Sequence, residues 1–105
     1  MAKIYPILMC ETLKQDDNGF PDFGNTRLVG YYTNINDAIR AVETNACDIN
    51  ETCYDYAVIE GVEEGLYQCA TYNDRLVFQY DYNSRTYKRI ANPKCLHHIA
   101  GITIG

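Results

Sequence analysis

Arg85, Tyr87 and Arg89 alternate along a β-favourable segment, so on an extended strand all three would project to one face. Guanidinium forks grip phosphate bidentately and a tyrosine ring stacks on a base, so the trio has the residue types needed to hold a nucleotide-sized anion. Tyr80, expected opposite Tyr87 in a hairpin, and the Tyr31-Tyr32 pair extend this stacking surface. A second chemistry belongs to the acids Glu60, Glu63 and Glu64, which with Phe20 and Phe23 form a candidate surface for a protein partner. These sets define two binding readings: capture of a small nucleotide, or masking of a protein.

Catalytic chemistries fare less well. The chain has one serine, Ser84, with no Gly-x-Ser-x-Gly frame, which removes serine nucleophile catalysis. Glycine-rich phosphate loops of the GxxxxGK[ST] or GxGxxG type are missing. Cysteines at 10, 47, 53, 69 and 95 can be paired on paper with His97 or His98, but no local signature activates a thiol. The same residues do not have zinc spacing, since Cys47 and Cys53 stand six apart. An EF-hand reading of Asp48, Asn50 and Thr52 fails because Cys53 occupies the glycine position and Ile59 the terminal acid position. The expectation is a non-enzymatic binding protein without metal or cofactor.

The elements that must position these residues follow from periodicity. Ile4–Leu13 and Arg27–Thr33 read as strands, separated by a loop over 14–26 that carries Asp17-Asn18-Gly19 and Phe20-Pro21-Asp22-Phe23-Gly24. Ile35, Ala38, Ile39, Val42 and Ala46 make a stripe at helical spacing, which predicts an amphipathic helix over about 35–46 with Asn34 or Asn36 as its cap. An irregular connector over 48–55 leads to the β-rich run Tyr56–Val62, then a turn, a short strand at Leu66–Thr71, and a hairpin of Arg75–Asp81 with Thr86–Ala91. The hairpin register that pairs Asp81 with Thr86 and Tyr80 with Tyr87 puts Phe78, Tyr80, Tyr87 and Arg89 on one face. Ile99–Ile104 is apolar enough for a final strand or a packed tail. The order predicts one α+β domain over 1–105: a mainly antiparallel sheet of about five strands, one face covered by the helix and the other left available.

Length and charge agree with a single small domain. The 105 residues are 47% apolar and 22% charged, with ten tyrosines and a net charge of −5. An acidic chain is a poor match for nucleic acid or an anionic membrane, which demand a cationic surface. No apolar run approaches the roughly 18 residues of a membrane helix and the N-terminus lacks a signal-type apolar core, so a cytoplasmic protein is expected. Charge is divided along the chain. Ala41 to Asp74 has no Lys or Arg and eight acids, whereas Arg75, Arg85, Lys88, Arg89 and Lys94 cluster around the hairpin. That polarity fits ordinary surface ion pairs across the fold better than a head-to-tail join of two copies, while the tyrosine surplus makes a homo-oligomer the expectation.

The block Gly30-Tyr31-Tyr32, Asn36–Val42, Asn45–Ile49, Tyr56–Glu60 and Glu64–Tyr67, followed by Phe78, Tyr80, Tyr87, Ile90, Pro93 and Gly101 to Gly105, resembles a family of small uncharacterised proteins encoded by gut-dwelling Firmicutes and their phages. The resemblance covers about residues 27–105, and Tyr31 and Tyr32 stand where relatives often have Trp. It carries no catalytic residues. It implies an inhibitor of bacterial defence, either sequestering a nucleotide signal through the tyrosines and the 85–89 cations or masking a defence nuclease with the 43–64 acids. A host regulatory or scaffold domain is the remaining alternative.

Overall fold

The computed structural model describes residues 3–15, 21–64 and 74–91, with the side chains of 12–15 and 21–24 excepted. Along the chain these form β1 (Lys3–Gln15), β2 (Pro21–Tyr32), α1 (Ile35–Glu43), a 3-10 turn (Ala46–Asp48), β3 (Tyr56–Glu60), β4 (Val62–Glu63), β5 (Arg75–Asp81) and β6 (Thr86–Ile90). The architecture is α+β: one antiparallel sheet in the order β2-β1-β3-β5-β6, with β4 pairing the start of β1. Predicted segments at 66–71 and 99–104, with Cys69, Cys95, His97 and His98, lie outside the described residues.

The helix begins where an asparagine can start it. Asn34 holds extended backbone angles and its side chain accepts from the Asn36 N–H at 2.8 Å, satisfying a first-turn donor, while Asp37 sits at the positive end of the helix. It ends at Glu43, three residues before the expected limit. Asn45 takes the left-handed conformation at φ +50° and donates to the Val42 carbonyl, and the Thr44 hydroxyl donates to the Arg40 carbonyl. These bonds close the last turn and turn the chain away. Ala38 and Val42 are fully buried on the sheet, whereas Ile35, counted in the apolar stripe, is exposed. Burying Val42 contributes about 1.5–3 kcal/mol.

The helix side of the sheet packs Ile7, Met9, Ala57, Ile59, Phe78 and Tyr87 under Ala38 and Val42. The opposite side was expected to stand open. Instead Leu8, Cys10, Val58 and Val77 form a second buried cluster, so the centre of the sheet is apolar on both faces. Its strands therefore read as near-continuous apolar runs, as in Ile7–Cys10 and Ala57–Ile59.

Of the predicted loop over 14–26, residues 14–15 and 21–26 are corrected to strand, and 16–20 lie outside the described residues. β1 and β2 form a long hairpin in which Thr12 faces Phe23, Lys14 faces Asp22 and Gln15 faces Pro21. Three register shifts interrupt the ladder, at Ile7/Leu8, Cys10/Thr12 and Thr12/Lys14. Bulges break the two-residue alternation, so a strand containing them imitates a loop in sequence. At the first shift Val29 is the extra residue, beside Gly30 at φ +158°, a value costly for any side chain.

Candidate partner-binding edge

β2 is one edge of the sheet, and among the described residues no strand pairs with its outer side. Its second half presents Leu28 at 52% exposure, Tyr31 at 62% and Tyr32 at 40%, with exposed Ile35 following at the start of the helix. An edge strand carries a row of unpaired N–H and C=O groups, and natural proteins usually blunt such edges with charge or shortness. β2 is twelve residues long and, from Leu28 to Tyr32, uncharged.

A tightly folded connector flanks this edge. Asn45, Cys47, Asp48, Glu51 and Thr52 all have positive φ without being glycine. Asn50, only 4% exposed, holds the turns together. Its backbone N–H donates to the Asn45 side-chain carbonyl at 2.9 Å, its own carbonyl accepts from the Thr52 N–H at 3.0 Å, and its amide donates to the Tyr54 carbonyl at 2.7 Å and the Tyr87 hydroxyl at 3.2 Å. Tyr87 donates in turn to the Tyr54 carbonyl at 2.6 Å. A buried amide with these bonds made fixes a loop that intrinsic propensity disfavours. The connector is tied to β2 by the Arg27–Glu51 ion pair.

Two adjoining clefts lie between connector and edge. The first, about 200 Å³, is lined by apolar side chains including Ile7, Val29, Ala41 and Ile49, with Tyr31 and Tyr32 also on its wall. The second, about 360 Å³, is more polar and is lined by Arg27, Asp48 and Glu51. Val29, Cys47 and Ile49 line both.

The hairpin trio does not assemble. Tyr80 faces Tyr87 and Asp81 faces Thr86, the expected register. Arg85, however, is a turn residue at φ +59° whose N–H donates to the Asp81 carbonyl, so it does not alternate with the strand residues. Tyr87 is 1% exposed beneath the connector, where a base cannot reach its ring, and burial pushes its hydroxyl well above the ordinary tyrosine range. Arg89 alone of the three is an exposed strand residue. Tyr80 is half-buried and edge-on to both Tyr82 and Tyr87, with ring centroids 5.0 Å apart in each case. The exposed ring of this hairpin is Tyr82, which sequence reasoning passed over; its place in the turn was the available signal. The Asp81 carboxylate accepts from the Asn83 N–H, and this bond holds it below the usual carboxylate range.

The acidic set also divides. Glu60 is fully buried and pairs with Arg75 at 2.9 Å across the β3–β5 ladder, so it is a structural charge and not a surface acid. Removing one partner of such a pair leaves an uncompensated buried charge, which costs about 3–5 kcal/mol. Glu63 and Glu64 are exposed. Phe23 lies in β2, and Phe20 lies outside the described residues. Among the described predicted site residues, Tyr31 and Tyr32 are exposed and line the apolar cleft. Leu28, Arg27, Asp48 and the Asn50 network were missed, because the pairing of connector with edge joins segments about twenty residues apart.

The thiols fit this picture. Cys10 is buried, while Cys47 and Cys53 are exposed. Partial desolvation, then the charges of Glu11, Glu51 and Asp55, push the Cys53 thiol up, which weakens it as a nucleophile at neutral pH. Among the described residues no three His, Cys, Asp or Glu side chains form a group able to hold a metal, and no helix is long and apolar enough to cross a membrane.

Fold and site together define a small α+β domain whose edge strand β2 is uncharged from Leu28 to Tyr32 and exposes Leu28, Tyr31 and Tyr32. Comparison with known proteins found no matching family model, no matching curated protein and no matching solved structure.

Proposed function

We propose that this chain is a non-enzymatic protein-binding domain that receives an extended segment of its partner along the outer side of β2. The observation that carries the reading is the exposure of Leu28, Tyr31 and Tyr32 along β2, whose outer side no strand pairs among the described residues, with Tyr31 and Tyr32 on the wall of the apolar cleft. Strand addition takes affinity from main-chain hydrogen bonds and specificity from pockets that accept alternate side chains, and this edge has both. The separation of Arg85, Tyr87 and Arg89 removes the support for nucleotide capture, so protein masking is the better reading of a phage-type inhibitor. Tyrosines are effective here because they bring large contact area with little side-chain freedom to lose.

Selection of a random dodecapeptide display library tests the proposal. Wild-type chain enriches a consensus that a Leu28→Lys/Tyr31→Lys variant does not enrich. Absence of a consensus, or the same consensus on both proteins, overturns the reading.

A further inference from the structure

β1 carries a proline inside the sheet, and that proline sets which way the main chain of the β2 edge points. In an antiparallel ladder, facing residues alternately exchange both main-chain hydrogen bonds or none. Pro6 faces Tyr31 and has no N–H, so theirs is a pair of the second kind. The N–H and C=O of Tyr31 therefore point away from β1, to the open side of β2. The other flank of β1 agrees. β3 and β4 continue one register against it, from Tyr56 across from Cys10 to Glu63 across from Lys3, but the pairing lapses at Tyr5 and Pro6, opposite Gly61 and Glu60. That is where Pro6 would have to donate toward β3, and it has no hydrogen to donate.

Leu8 is turned like Pro6, so Leu28 across from it also points its main chain outward. Val29 is the extra residue of the bulge, and it brings Leu28 and Tyr31 onto one face of the sheet, the face of Leu8 and away from the helix. A partner residue paired with either one shares that face, and the residue between them turns to the helix side. There Gly30 leaves open space, and Ile7, Val29, Ala41 and Ile49 line the apolar cleft. Among the described residues no charged side chain lines it, so a charge brought in would lose its water without a counter-ion.

We infer that the partner segment is held by main-chain hydrogen bonds to Tyr31 and Leu28, and that the residue between those two contacts is aliphatic and enters the apolar cleft over Val29 and Gly30. This rests on the strand-addition reading and adds the register of docking and the chemistry of the central residue. Pro6 is its positioning residue, because the proline fixes which β2 amides the partner can reach.

The test combines residue-resolved amide exchange of the full chain with three fluorescein-labelled heptapeptides titrated by anisotropy: Thr-Thr-Thr-Leu-Thr-Thr-Thr and its counterparts with aspartate or lysine at the centre. The sequence is palindromic, so either strand direction is open to it. In the free chain the Tyr31 and Leu28 amides exchange fast, while those of Gly30 and Tyr32, turned toward β1, exchange slowly. The leucine probe binds at least about tenfold more tightly than either charged one, and it slows exchange at Tyr31 and Leu28. A Tyr31 amide as slow as that of Gly30 in the free chain overturns the inference. Equal binding of the three probes, or slowing at other amides of 27–32 with Tyr31 and Leu28 unchanged, also overturns it and leaves strand addition standing. If no probe binds, both the inference and the edge reading fall.

Discussion

Among the described residues the sheet ends in β2 and β6, and these two strands are built on opposite principles. β6 has five residues, exposes Lys88 and Arg89, and turns its one aromatic ring, Tyr87, inward to close the core. β2 has twelve residues and turns Leu28, Tyr31 and Tyr32 outward, with a rigid connector and two clefts at its side. Short length and lysine are standard defences against unwanted strand pairing, and β6 has both. β2 has neither in its second half. This contrast is what supports the proposed docking of a partner along β2. The tyrosine surplus is divided in the same way, between a buried hydroxyl that organises structure and exposed rings available to a partner.

The strongest way to break this comparison is to truncate one tyrosine from each edge. Tyr87→Ala removes a fully buried ring and its hydrogen bonds, and is expected to lower stability by about 3–5 kcal/mol in urea unfolding. Tyr31→Ala should stay within about 0.5 kcal/mol of wild type. Similar losses for both would mean that Tyr31 is a packing residue. Next in size is Asn50→Ala, which leaves the Thr52 N–H without its acceptor and takes a donor from the Tyr54 carbonyl and the Tyr87 hydroxyl. The expected cost is about 1–3 kcal/mol, with faster amide exchange over 44–54. Leu28→Lys sharpens the comparison from the other side. It gives β2 the charge that β6 already carries, weakening peptide binding at least about tenfold, or about 1.4 kcal/mol, while stability moves by no more than about 0.5 kcal/mol.

The smallest effect is on pH dependence. The Tyr87 hydroxyl is raised by burial above the ordinary unfolded value of about 10, so above that pH the unfolded chain binds fewer protons at this position than the folded one. Its contribution to stability is therefore complete below about pH 10 and declines as pH rises toward the folded value. Tyr87→Phe should flatten this alkaline decline relative to wild type, measured as the change in urea midpoint between pH 9 and higher pH, about one unit either side of the unfolded value. A variant curve parallel to wild type would show that Tyr87 titrates normally.

Local signals made much of the fold legible. Asn34 or Asn36 ahead of the Ala38–Val42 stripe marked the helix start, with Asn34 the cap in the structure, and Tyr80 opposite Tyr87 followed from the turn at 82–85. What escaped depended on distant pairing. The irregularities beyond Cys10 disguised the far end of the β1–β2 pairing as a loop, although the Val29 bulge did not hide the strand around it. Glu60 looked like one acid among eight until the β3–β5 register placed Arg75 against it. The connector was unreadable for a different reason: five non-glycine residues with positive φ contradict local preference, and only the buried Asn50–Tyr54–Tyr87 network makes that backbone stable. For the site, the sequence marked Tyr31 and Tyr32 as candidate rings, but their partners across the cleft came from packing alone.

Hydrogen–deuterium exchange of the chain with and without a display-selected dodecapeptide tests the central claim most directly. The account predicts slowed exchange over 27–32 on binding, with 86–90 unchanged. Slowed exchange over 86–90 with 27–32 unaffected would contradict it and move the working surface to the cationic edge.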